Sequence, residues 1–223
     1  MLTCIAAHWI FYLCIVTAAL LSMIPVLGKF LNVLNTLVHE SGHAVMALLT
    51  GGGVMNIKLS ADTSGAAQTK SKYWMGKVIT SVSGYPVSAL TAWLFFWLIE
   101  QQKINYIYYV LISLILINLI LWVRNTFGII WLIIMGSICS LLYIYGNQIA
   151  QYYFATFCAA IILFQSIYTC IVLVTISIKS PAKAGDAKNL KEFTYIPTVI
   201  WALIMLAIVI LICAKVYVLF PCM

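Results

Sequence analysis

Charge is what this sequence has least of. Only 8% of its 223 residues are charged, and just five are acidic. Hydrophobic residues make up 65%, and the mean hydropathy is +1.09. A soluble domain averages about 25% charged and about 45–50% apolar residues. A soluble globular protein, a disordered chain and a nucleic-acid-binding domain are therefore excluded, the net charge of +7 notwithstanding. No stretch is long and polar enough for a separate soluble domain. There is no C-x-x-C pair, no internal repeat and no low-complexity tract beyond the apolar bias. The seven cysteines lie within or at the ends of apolar segments, where they serve as small hydrophobes, and the odd count argues against a complete disulfide framework.

What is present is a succession of apolar runs of about 20 residues, each long enough to cross a bilayer as a helix. Seven candidate spans are predicted, at 4–24, 30–49, 78–99, 104–123, 127–145, 149–178 and 197–219. The first lacks the charged start and cleavage site of a signal peptide and is read as a true span. Only 51–77 and 179–196 are sizeable polar connections. Seven spans place both connections and Arg124 on one face, with nine of the twelve Lys and Arg residues. The positive-inside rule then assigns that face and the N-terminus to the cytoplasm. Gly51-Gly52-Gly53, the run Val54–Leu59, the turn-like Asp62-Thr63-Ser64-Gly65 and Ala66–Thr69 predict a short hairpin. Two readings of it stand: an open edge for an extended peptide, or a plain connection. The expected fold is an all-α polytopic membrane protein, one integral membrane domain over 1–223. It has about six to seven transmembrane helices, with a short cytoplasmic β-hairpin after the second.

The second span contains H-E-x-x-H: His39, Glu40, Ser41, Gly42, His43. Residues four apart on a helix lie one above the other, so both imidazoles can reach one metal ion. Glu40 beside them is near enough to take a proton from a water polarised by that ion. With three His and three Glu in the chain, the pattern would arise by chance in on the order of one such sequence in two thousand. Ionisable residues at a helix centre cost at least about 2.5–3.5 kcal/mol on insertion scales and mark functional sites by default. Asn32, Asn35, Thr36, His39, His43 and Thr50 form a polar stripe that must face the bundle interior or a wet cavity. A bland reading of the stripe is hydrogen-bonded packing without a metal. His8 stands alone in the first span and is left out of the site.

Catalytic zinc normally takes three protein ligands and a water. The remaining acids are Asp62, Glu100, Asp186 and Glu192. Glu100 falls on the opposite face, and Asp62 sits in a turn, a usual place for a solvated Asp. Asp186 and Glu192 share the second polar connection. Asp186, between Lys183 and Lys188, is either the third ligand or a solvated loop residue.

A span with L-V-H-E-S-G-H-A, followed by T-G-G-G and a strand-like segment, resembles the site-2 protease type of membrane zinc metallopeptidase, in particular a compact bacterial branch. Gly84-Tyr85, Arg124-Asn125-Thr-Phe-Gly128, Gly185-Asp186-Ala187, Leu190, Thr194, Ile196-Pro197 and Trp201 extend the similarity over about 34–201. The resemblance implies intramembrane peptide-bond hydrolysis with Zn2+ held by His39, His43 and a distant Asp. The better-known members carry that Asp in L-D-G. This chain has no L-D-G, and Asp186 in G-D-A is the nearest counterpart. No PDZ-like domain can be fitted.

The expected activity is thus that of a zinc-dependent endopeptidase at the cell membrane, with its site near the cytoplasmic side. Its partners would be a membrane protein substrate and the lipid bilayer. Glu40 is the expected general base, and Asn125 the expected contact to substrate backbone or oxyanion. An ordinary interfacial turn with a snorkelling cation is the competing account of Arg124 and Asn125. Gly84-Tyr85-Pro86 either opens a cavity by kinking the third span or only packs. Two other classes compete with the enzyme. One is a non-catalytic metal-binding membrane protein that binds a client. The other is a divalent-metal transporter, which would carry ionisable residues in several spans rather than one.

Overall fold

The computed structural model describes residues 2–219, with side chains from residue 12 onward. The chain forms α1 (Leu2–Ser22), α2 (Leu27–Leu49), β1 (Gly53–Leu59), β2 (Gly65–Lys70), α3 (Trp74–Glu100), α4 (Ile104–Ile117), α5 (Thr126–Tyr145), α6 (Gln148–Lys179), α7 (Gly185–Thr194) and α8 (Thr198–Val218). A π-turn, Asn118–Trp122, extends α4. An all-helical plan is what lipid demands, because each span must satisfy its own backbone polar groups.

α3 and α6 form the middle of the bundle. About half of each apolar window is buried, against 28% for α4 and α5 and 22% for α8. α6 has 32 residues and reaches about 48 Å at 1.5 Å per residue, more than a bilayer core requires. α2 lies directly on α3. A Cβ on Gly42 would stand 2.9 Å from the Val87 Cβ, so the missing side chain sets this helix separation.

The seven expected spans all appear as helices, but they do not all cross separately. Among the described residues, five helices are long and apolar enough to cross on their own, and Tyr12–Ser22 of α1 passes together with α2 as a pair bent by 111°. Pro25 lies in the break and cannot continue a helix past it. The described residues thus hold five to six candidate crossings.

The Gly51-Gly52-Gly53 run ends α2 and starts the hairpin. Gly51 has φ +73°, its amide donates to the Leu48 carbonyl, and the Gly52 amide donates to the Ala47 carbonyl. This is a Schellman closure of the helix. β1 and β2 pair antiparallel, with a bulge between Val54 and Asn56. In the turn, the Ser64 amide and hydroxyl both donate to Asp62, which holds its carboxyl below the usual range. Ile57 of β1 bridges Val123 at the α4–α5 connection. β2 therefore keeps its outer edge unpaired by strand among the described residues.

The second polar connection contains a helix that the sequence did not announce. α7 buries Ala187 and Leu190 against α3 and α8. The Trp74 indole donates to the Phe193 carbonyl at 2.7 Å, and Lys77 lies over the Phe193 ring. Thr194 donates to the Leu190 carbonyl and accepts from the Trp201 indole at 2.8 Å. Tyr195, at φ 62°, ends the helix. The hairpin, the α4–α5 turn and α7 thus gather on one face, with four helices between hairpin and α7, as an even number of crossings requires.

Candidate metal centre

α2 turns its polar stripe inward. Asn35, Glu40 and His43 are buried, and the Thr36 hydroxyl donates to the Thr63 carbonyl in the hairpin turn. On this stripe the His39 and His43 rings meet edge to face, centroids 4.6 Å apart, and their Nε2 atoms stand 3.0 Å apart. Asp186, in the first turn of α7, reaches into the same point. Its Oδ2 lies 3.3 Å from each Nε2.

These three separations have a simple meaning. Ligand bonds of about 2.0–2.1 Å at tetrahedral angles place neighbouring ligand atoms about 3.3–3.4 Å apart. The two nitrogens and one carboxylate oxygen match three corners of such a tetrahedron to within a few tenths of an ångström. His39, His43 and Asp186 can therefore hold one metal ion, and their donor types suit zinc. Burial pushes the Asp186 carboxyl up, but the His43 and His39 imidazoles outweigh it and hold the group below the usual carboxylate range.

Each imidazole is oriented by a different device. His43 Nδ1 lies 2.6 Å from the Thr80 carbonyl. A carbonyl only accepts, so Nδ1 carries the proton and Nε2 presents its lone pair to the centre. The Ser83 hydroxyl donates to the same carbonyl at 2.7 Å. His39 is instead set by packing. Its ring lies against the bare Cα of Gly84, where any Cβ would overlap it, and meets the Tyr85 ring edge-on at 4.5 Å. Gly84 and Tyr85 thus pack against His39, and α3 continues through Pro86.

Glu40 is buried beside this cluster, against the start of β2. A Cβ on Gly65 would lie 2.5 Å from Glu40 Oε1. The other acids stay away from the centre. Asp62 is spent on Ser64, and Glu192 pairs with Lys188 at 3.7 Å in solvent. Glu100 accepts from Gln101 at the far end of α3. The cysteines with described side chains are unpaired and none joins the cluster, and His8 lies outside the described side chains.

Asn125 does not point into the centre. Its carboxamide donates to the Leu59 carbonyl at 2.6 Å and accepts from the Leu59 amide at 3.2 Å. The groups expected to reach substrate are engaged with the end of β1. Arg124 caps the helix before it, donating to the carbonyls of Ile120, Leu121 and Val123 at 2.9–3.0 Å. That cap answers the carbonyls a helix end leaves open. Thr80 and Ser83 were not singled out from the sequence, and Gly65 only as part of the hairpin turn. They are small residues in ordinary contexts, and only the tertiary contact with His43 or Glu40 gives them a role.

No curated protein and no solved structure matches this chain. A family model does. The Peptidase M50B-like model aligns with residues 12–216, which takes in α2, the hairpin, α7 and all three candidate ligands, and the chain belongs to that peptidase family.

Proposed function

We propose that the protein is a zinc-dependent endopeptidase that hydrolyses peptide bonds of membrane-associated proteins. The observation that carries this reading is the triangle of His39 Nε2, His43 Nε2 and Asp186 Oδ2, with sides of 3.0 and 3.3 Å, beside a buried Glu40. A zinc ion held there would supply Lewis-acid activation of the scissile carbonyl and of the attacking water.

The chain's own groups do the rest. Glu40 accepts a proton from the attacking water as its oxygen bonds to the carbonyl carbon. It then delivers that proton to the departing nitrogen as the C–N bond breaks. One peptide bond and one water become a carboxylic acid and an amine. The Thr80 carbonyl keeps His43 in the tautomer that can ligate, and Gly84 and Tyr85 keep the His39 ring in its plane. A substrate segment unwound from its helix would lie extended along the unpaired edge of β2, whose backbone groups can accept a further strand. The face that gathers the hairpin and α7 is taken as the cytoplasmic one because it carries most of the lysines.

The test is zinc analysis of the purified chain together with Glu40→Gln. The reading expects about one zinc per chain in both proteins, and cleavage of a single-span membrane peptide by the parent alone. Cleavage by neither protein, with zinc in both, would favour the client-binding class instead.

A further inference from the structure

The Asn125 clamp lies at one end of a short chain of contacts that ends on Glu40. Asn125 uses its carboxamide as a neighbouring strand would, engaging both backbone groups of Leu59. Gly128 makes room for it, since a Cβ there would stand 2.8 Å from Asn125 Oδ1 and 3.4 Å from the Leu59 Cβ. Leu59 is the last residue of β1, and its register partner is Gly65, the first of β2. Gly65 in turn is pressed against Glu40, with a Cβ there meeting Oε1 and the Thr36 methyl, both at 2.5 Å. Its φ lies outside the left-handed range, so glycine is required by space, not by backbone conformation. The metal triangle has separate supports on α3 and α7.

We infer that Asn125 is a positioning residue for Glu40, acting through Leu59 and Gly65 of the hairpin. The inference rests on the peptidase reading for its consequence but not for its geometry. A glutamate side chain has several staggered rotamers open to it. The wall made by Gly65 removes some of them and leaves the carboxylate beside the two imidazoles. If Asn125 releases Leu59, the hairpin end loses that anchor, keeps only its packing and the Thr36–Thr63 hydrogen bond, and the wall can shift. The ligands of the metal, held elsewhere, stay in place.

The experiment uses the full chain in lipid vesicles, loaded with zinc, with a labelled single-span peptide as probe. Asn125→Ala and the isosteric Asn125→Asp should retain the parent's zinc content, while backbone amide exchange rises across 59–67 and is unchanged across 37–47. Gly65→Ala should also keep its zinc and leave the clamp, and so the exchange at Leu59, as in the parent. Each of the three should lower kcat about tenfold to 100-fold, the scale of an ångström-sized misplacement of a catalytic group. KM should rise by less than kcat falls, since no direct substrate contact is removed. Raised KM at full kcat would make Asn125 a substrate contact and overturn the inference. Zinc loss in proportion to activity would overturn it too, by making the hairpin a support of the metal. The exchange measurement needs no turnover. A parent that binds zinc and leaves the probe intact sinks the peptidase reading, while flat exchange at 59–67 in the Asn125 variants sinks the linkage by itself.

Discussion

At the level of single residues, the centre depends on what each side chain is denied as much as on what it is given. His43 is denied its other tautomer by the Thr80 carbonyl, and His39 is denied rotation by Gly84 and Tyr85. Gly84→Ala should push the His39 imidazole aside. Zinc affinity should then fall by about 10–100-fold, the usual cost of losing an orienting group around a ligand, as titration against a chelator would measure. Unchanged affinity would mean that the ring has another place to go. Glu40→Gln should keep its metal while cleavage drops by about 10²–10⁴, the range for a lost general base. Residue-scale chemistry was partly legible beforehand. The i, i+4 histidines and Glu40 follow from helix periodicity alone. Asp186 does not, because 143 positions separate it from His43 and no local pattern spans that gap.

Among the elements, α7 contributes most to the site for its size. It is ten residues long and too polar to cross a membrane, yet it carries the only acid that reaches the histidines among the described residues. Its position is fixed by Trp74 on one side and by the Thr194–Trp201 contact on the other. Trp74→Phe removes the bond to Phe193, and Thr194→Val the bond from Trp201 along with the one to Leu190 within α7; each docking bond is worth about 1 kcal/mol. If that cost falls on docking of α7, zinc binding should weaken about fivefold in either variant, measured by competition with a chromophoric chelator. No change would show that Asp186 is held by the Ala187 and Leu190 packing alone. The spans were readable because apolar runs of bilayer length admit few alternatives. The hairpin was readable from its glycines and its Asp-Thr-Ser-Gly turn. α7 was not, since Lys179–Ile196 is short, charged and stabilised by contacts made only after folding. The bend at Pro25 was also missed, because composition registers an apolar run but not its direction.

At the scale of the whole molecule, the fold collects three connections that are far apart in sequence onto one face of the bundle. The hairpin covers Glu40, the α4–α5 turn grips the hairpin, and α7 brings the carboxylate. Single cysteines at exposed Lys72 and Lys188 should therefore react with an impermeant thiol reagent from the same side, and one at Gln102 from the other. Labelling of positions 72 and 188 from opposite sides would contradict the even number of crossings between them. Four of the native cysteines with described side chains are buried, and the parent chain sets the background. The claim beneath all of this is that two imidazoles and one carboxylate converge on a single ion. X-ray absorption at the zinc edge of the loaded protein tests it most directly. The account predicts imidazole scattering from two rings, with nitrogen and oxygen ligands at about 2.0–2.1 Å. A sulfur shell at about 2.3 Å, or no imidazole signature, would contradict it.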